Sequence, residues 1–312
     1  MLARIAAYLA LGVAFLCSAT PCIAADSQTR SFTFAALGDA PYYEHEEPAF
    51  ISMMAELNRE PLAFAVHVGD FKNGHSDCSE ALYLQRKEWF ELSRNPFIYV
   101  PGDNEWTDCW RRAAGRYDPL ERLRKLREVF FADARSLGQR RLTLTRQSDI
   151  DARYPYPEHA RWVHEGALFV TLNVPGSDNN FARDRAEFNA RGVAVHEWIA
   201  QSFRFARAQQ LAGVILMMQA DPWVAVGARR YAFTPLFDAL ISETMNFSGE
   251  VMLIHGDTHR FRFDHPLLNP ETRRPLANFT RIEVFGSPSV NWVRVRVENV
   301  GGRLKFEATP GS

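Results

Sequence analysis

The chain has 312 residues and a formal net charge of −1, with 23% of its residues charged. That balance excludes partners recognised by bulk charge alone, such as a nucleic acid polymer or an anionic lipid surface. Its length suits one large α/β domain or two small ones.

Arg4 precedes an apolar run from Ile5 to Cys17, followed by Pro21 and the small-residue stretch Ile23-Ala24-Ala25. This layout predicts a secretory signal peptide over residues 1–25, cut after Ala24 or Ala25. The run is shorter than the roughly 20 apolar residues a membrane span needs. Residues 26–312 are then expected as a single periplasmic or secreted domain with no stable membrane insertion. Cys17 and Cys22 leave with the leader, and Cys78 and Cys109 remain. In an exported chain such a pair reads as a disulfide, here tying the loop after Asp70 to the loop after Asp103.

Strand and helix patterns alternate along most of the chain. Ser31 to Gly38 reads as a strand, Pro48 to Arg59 as a helix, Leu62 to Gly69 as a strand, Ser79 to Ser93 as a helix and Pro96 to Pro101 as a strand. Residues 107–161 read as a helical insertion beside the main fold. Within it, Asp118 is an expected helix cap before Pro119, and Tyr154-Pro155-Tyr156-Pro157 blocks regular structure. Between Arg111 and Arg146 this stretch carries eleven basic residues. A solvated helix face is the preferred reading there, over a basic lid on a phosphate site. A strand follows at Ala167 to Val174, then a long helix from about Arg183 to Gln210 and a strand at Gly213 to Met218. Thr234-Pro235 is expected to open a helix by the same cap logic, and Glu250 to Ile254 is the next strand. Beyond it, Phe261–Phe263, Thr280–Phe285, Trp292–Glu298 and Arg303–Ala308 alternate as half-exposed antiparallel strands would.

Four strings close these apolar runs: GDAPY at residues 38–42, GDFKNG at 69–74, GDNEW at 102–106 and HGDTH at 255–259. Asp39, Asp70 and Asp103 lie 31 and 33 residues apart, the length of a strand, a helix and two loops, so they fall on neighbouring strand ends. With Asp257 and His259 they form a set of hard oxygen donors plus one imidazole at a strand-end crevice, the donor chemistry of a divalent metal site. A single Gly-Asp is an ordinary turn; four in order carry the signal. His67 reads as a core histidine. His45, His75 and His255 are candidates for a layer behind the aspartates, and Trp106, Trp110 and Trp223 for pocket walls or packing.

These strings, with MMQADPW at 217–223 between the third and the last, resemble the calcineurin-like metallophosphoesterases, over roughly Phe32 to Phe306. The resemblance implies an α/β fold, a four-layer α/β/β/α sandwich holding one or two divalent ions. Asp39 matches the family's first Asp, Asp70 its bridging Asp and His259 its last His. Five residues depart: Pro41, Asn104, Gln219 and Asp257 stand where the family has histidine, and Asp103 stands where it has asparagine. Asp103, Gln219 and Asp257 still offer oxygen. The implied ligand set is therefore Asp39, Asp70 and His259 for one ion and Asp70, Asp103, Gln219 and Asp257 for a second, with Mn²⁺, Mg²⁺ or Ca²⁺ favoured over zinc or iron.

The activity so implied is hydrolysis of a phosphomonoester, phosphodiester or nucleotide, a hydroxide activated by the ions attacking phosphorus in line. Asn104 takes the position of the family's leaving-group acid and cannot give up a proton, which leaves His45, His75 or Arg260 for that task. The expected partner is a small phosphorylated substrate, and the expected state a monomer. The rival class is a catalytically silent relative that binds a metal together with a ligand or envelope partner. No GxSxG, P-loop, GxGxxG or HExxH string is present.

Overall fold

A computed structural model describes residues 30–311; the expected signal peptide lies outside them. Twelve strands form two sheets. In chain order they are β1 (Arg30–Leu37), β2 (Ala65–His67), β3 (Phe97–Tyr99), β4 (Thr145–Arg146), β5 (Ala160–His164), β6 (Ala167–Thr171), β7 (Gly213–Met217), β8 (Glu250–His255), β9 (Arg262–Asp264), β10 (Phe279–Glu283), β11 (Val293–Val300) and β12 (Arg303–Pro310). The helices of three turns or more are α1 (Glu47–Leu57), α2 (Glu80–Glu91), α3 (Pro119–Phe130), α4 (Arg185–Ala208) and α5 (Thr234–Met245). One sheet runs β12-β11-β1-β2-β3 and the other β4-β5-β6-β7-β8-β10-β9.

Period-two alternation explains the layering. Phe34 and Ala36 of β1 face a core shared with Phe169, Ile215, Met252 and Ile254 of the other sheet. Their neighbours Ala35 and Leu37 face outward onto α1, α2 and α3 through Phe50, Phe90 and Leu126. On the second sheet, Leu168, Val214 and Leu253 face α4 and α5 through Trp198, Phe203 and Leu240. Helices thus cover both outer faces of a two-sheet sandwich, which is the expected α/β/β/α order.

Three expectations change on inspection. Strand β10 is fully buried and pairs in parallel with β8, because it lies inside the sheet with β9 covering its outer edge; only β9, β11 and β12 are antiparallel as read. The 107–161 stretch is woven into the sandwich. Helix α3 buries Leu123, Leu126 and Phe130 in the outer core, and β4 and β5 extend the larger sheet. Asp118 caps α3 through Glu121 N–H at 2.7 Å, but Thr234 caps nothing. It lies inside the helix, and its hydroxyl donates back to the Arg230 carbonyl.

Candidate metal and phosphate site

The parallel strands β1, β2 and β3 point their C-terminal ends the same way, and the turns beyond them carry Asp39, Asp70 and Asp103. From the other sheet, β7 and β8 deliver Gln219, Asp257 and His259 to the same place. Contacts close the gap between sheets. Asp257 N–H lies 3.1 Å from both carboxylate oxygens of Asp39, and the Gln219 amide donates to Asp70 Oδ2 at 3.2 Å. All six residues converge on one crevice at the seam of the sandwich.

The backbone is bent hard to achieve this. Asp39, Asp70, Asp257 and His259 have φ of 49°, 58°, 83° and 62°, the left-handed region that costs roughly 1–2 kcal/mol for a residue with a Cβ. Neighbouring glycines make the room. A Cβ on Gly102 would stand 2.1 Å from Asp70 Oδ1, and one on Gly256 1.9 Å from Asp39 Oδ2.

The hydrogen bonds divide the crevice into two halves. In one, Asp70 Oδ1 accepts from Asn104 N–H (3.1 Å), and Oδ2 accepts from the Asn104 amide (2.7 Å) and the Tyr42 hydroxyl (3.0 Å). His259 Nδ1 faces the Ser287 carbonyl at 2.6 Å, so Nδ1 carries a proton. Its Nε2 lies 3.1 Å from Tyr42 Oη. Because Oη accepts from Asn104 and has a single proton to share, it cannot serve Asp70 and His259 Nε2 together. Either a proton on Nε2, which also faces Asp39 Oδ1 at 3.8 Å, or a cation between these groups completes this half.

The other half is more deficient. Asp103 Oδ2 accepts from Ser177 Oγ at 2.6 Å, but buried Asp103 Oδ1 has no partner. Asp103 Oδ1 and Asp257 Oδ1 both stand 2.8 Å from where a Cβ on Gly176 would be, two carboxylates facing one small space. Burial, then the charge of Asp257, raises Asp39 well above the carboxylate range, and burial, then Asp103, does the same to Asp70. Burial followed by the Asp103 charge lifts Asp257 to about 7. Clustered carboxylates with an orphaned oxygen fit a hard divalent cation. Gln219 fits less well as a ligand: its oxygen accepts from Gly176 N–H, so its nitrogen faces the crevice.

Among the described residues, a tighter set of donors lies just behind, where atoms of Asp221, His255 and Glu283 fall within 4.8 Å of one another. A cation is already there. Arg262 pairs with Glu283 and, at 3.1 Å, with Asp221, while Asp221 N–H holds Asp257 Oδ2 at 2.9 Å. The set braces the Asp257 loop from behind.

Asn104 sits in the crevice, whereas His75 and Arg260 are exposed on the loops around it; neither has a side-chain hydrogen bond to an aspartate. His45 is exposed and stacks on Tyr43. His67 is a satisfied core residue between Ala40 O and Gly69 N–H, and Trp106 is fully buried in the core. The Cys78–Cys109 disulfide is present and pins the two loops as expected. Most of the basic stretch is paired with acids away from the crevice, for example Arg127 with Glu158, Arg141 with Glu91 and Arg146 with Asp149; Arg111 alone of those named reaches the crevice side, through Asp108 and Ser177.

Sequence reasoning misses Tyr42, Glu105, Lys72 and Ser177. The first three lie inside the quoted strings. Glu105 Oε1 accepts from Asp70 N–H, Gly102 N–H and Tyr99 Oη, stitching β2 to β3, and Lys72 Nζ donates to the Asn104 carbonyl at 2.7 Å. Ser177 has no sequence signal.

The sequence matches no protein-family model and no curated protein. Its fold is similar to solved structures: PhoD, at TM-score 0.56 and 12% identity over 90% of this chain and 68% of that one; a dimetal phosphatase from Danio rerio, at 0.51 and 12% over 90% and 99%; and GAP50, the anchor in the inner membrane complex of Plasmodium, at 0.51 and 11% over 86% and 84%. At such identities the likeness establishes the fold, a metallophosphoesterase-type sandwich.

Proposed function

We propose that the chain is an exported, metal-dependent hydrolase of small phosphate esters. The observation that carries this reading is the surplus of buried acceptors at the seam, above all the unpartnered Asp103 Oδ1 facing Asp257. Four carboxylates gathered at the strand ends of this fold make physical sense with a cation among them. Asp39, Asp70 and His259 Nε2 would hold one, and Asp70, Asp103 and Asp257 a second, with Mn²⁺, Mg²⁺ or Ca²⁺ preferred for the oxygen-rich set. Bound there, the ion supplies charge stabilisation for the phosphoryl oxygens and lowers the pKa of water.

The chain's own side chains do the rest. The Asn104 amide nitrogen donates to both Asp70 Oδ2 and Tyr42 Oη, so it uses its two protons to hold those groups in position at the crevice. Tyr42, whose hydroxyl is driven well above its usual pKa by burial and then by Asp70, keeps its proton and acts as a hydrogen-bond donor. With no proton donor in the place of Asn104, esters with good leaving groups are favoured, since a general acid contributes about 10² to 10⁴ in rate.

The test is hydrolysis of p-nitrophenyl phosphate and bis-p-nitrophenyl phosphate with each of the three ions, alongside calorimetric metal binding. Turnover abolished by Asp70→Asn supports the proposal. The internal donors Tyr42, Asn104 and Gln219 on Asp70 favour a second reading, a silent relative that binds a ligand; metal binding without any turnover selects it.

A further inference from the structure

Gly74, the last residue of the GDFKNG string, has neighbours that account for it. A Cβ there would stand 2.4 Å from Arg111 Nη1 and 2.8 Å from Asn104 Oδ1, so the missing side chain leaves a space that a guanidinium and an amide oxygen share. The Asn104 nitrogen is committed to Asp70 and Tyr42, which ties this space to the aspartate crevice through a single side chain. We propose that Arg111 and Asn104 Oδ1 bind a second phosphate, the leaving group of the substrate, and that the substrate is therefore a phosphoric anhydride. The proposal rests on the hydrolase reading for the phosphoryl group at the aspartates.

The chemistry of the two atoms selects that class. Neither a guanidinium nor an amide gives up a proton in a protein, so this space offers nothing to an alkoxide that must be protonated as it leaves. It suits a group that departs with its charge, and hydrogen bonds from arginine to phosphate are among the strong charge-assisted ones. Asn104 is 7% exposed, and its Oδ1 accepts from no donor among the described residues. A hydrogen phosphate brings both missing partners, an oxyanion for Arg111 and a P–OH for Asn104 Oδ1; a carboxylate or phenolate brings only the first. In the step so defined, a water oxygen bonds to the attacked phosphorus, the bond from that phosphorus to the bridging oxygen breaks with its electron pair on the oxygen, and the proton lost by the water goes to solvent.

Arg111 is held for this task from behind. Its Nη2 pairs with Asp108 at 2.6 Å and reaches Ser177 Oγ at 3.5 Å, while Nη1 has no hydrogen bond among the described residues. The arginine side chain is 33% exposed against 5% for Asp108, so the acid lies inward and the base outward. The Cys78–Cys109 disulfide joins the arm that carries Gly74 to the arm that carries Arg111, and fixes their approach before any ligand arrives. A second cation stands at the same residue: Lys72, 1% exposed, donates to Asn104 O at 2.7 Å and to Asn73 O at 2.9 Å, and hydrogen-bonds to no carboxylate. Carboxylates suited to a cation thus lie on one side of Asn104, and two fixed positive charges flank it. A substrate with a phosphate at each end matches that polarity.

The test uses methylenediphosphonate, whose CH₂ bridge is not cleaved, and methylphosphonate, which lacks the second phosphate. Each is titrated calorimetrically into the mature chain and into Arg111→Gln with Mg²⁺ in the same excess, so that chelation in solution cancels between the two proteins. The substitution is expected to weaken methylenediphosphonate at least about tenfold, a step of roughly 1.4 kcal/mol, and methylphosphonate less than about twofold. Gly74→Ala, which keeps the charge and displaces the guanidinium, should give the same split, and decides the matter if Arg111→Gln does not fold. Pyrophosphate should also be hydrolysed faster than glycerol 2-phosphate, with the gap narrowed in either variant. Equal losses for both ligands, or no loss for methylenediphosphonate, overturn the proposal even where p-nitrophenyl phosphate is turned over in an Asp70-dependent way. The split in binding without turnover of any substrate keeps the phosphate site at Arg111 and removes the hydrolase.

Discussion

Asp103 occupies a position where a neutral amide would relieve the crevice. Its Oδ1 is buried without a partner, and its charge is the leading electrostatic cause of the rise at Asp257. Asp103→Asn should therefore stabilise the metal-free protein, by about 1–2 kcal/mol, since an amide placed toward Asp257 donates where two carboxylates now repel. Thermal unfolding in EDTA measures this, and a carboxyl NMR titration should show Asp257 moving down from about 7. The same variant should weaken cation binding. Gly256 makes the opposite case: a Cβ there would lie 1.9 Å from Asp39 Oδ2. Gly256→Ala should displace Asp39 and lower metal affinity at least tenfold by calorimetry, with retained far-UV dichroism separating that loss from unfolding.

The elements differ in how plainly the sequence announces them. The strand-end aspartates are legible because each closes an apolar run and sits in a glycine turn, a local pattern that survives packing. The turn at 177–180 is illegible, because its left-handed path is imposed by Arg191, 11 residues beyond it on α4. Strand β10 is illegible in another way: Arg281 and Glu283 suggest an exposed face, whereas both are buried, Arg281 paired with Asp264 and Glu283 accepting from the Thr258 hydroxyl and Arg260 N–H. Tyr42 sits inside a quoted string and still escapes notice, since nothing local tells that its hydroxyl crosses to His259. At this scale Arg191→Met is expected to cost about 3–5 kcal/mol, because Glu187, its partner at 2.6 Å, is left buried without a counter-charge. Urea unfolding checks the magnitude, and loss of the Asn179 contacts should appear as faster amide exchange across 176–181.

For the whole molecule, two sets of buried groups make stability depend on pH in opposite senses. His67 and His159 are held neutral by burial, with pKa values lowered to about 4 and about 3. Below their ordinary value near 6.5 the unfolded chain takes up protons that the folded chain refuses, so stability falls with pH, by on the order of 3 kcal/mol for each by pH 4. Asp257, raised to about 7, works the other way in the metal-free protein. Its folded form binds protons more tightly than the unfolded chain does, so stability is lost as pH rises from about 4 toward 7. A bound cation removes that second loss and must displace the protons to do so. Added Mn²⁺ or Ca²⁺ should therefore raise the melting temperature most at pH 7.5 to 8 and scarcely at all near pH 5, which a set of thermal scans would show.

The crevice draws Asp39, Asp70 and Asp103 from one sheet and Gln219, Asp257 and His259 from the other. Whatever charge settles between them, proton or ion, therefore acts as a clasp on the two leaves of the fold. Filling it should slow deuterium uptake in β2 and β8 together, though they share no backbone pairing, and emptying it should let the leaves breathe apart along that edge first.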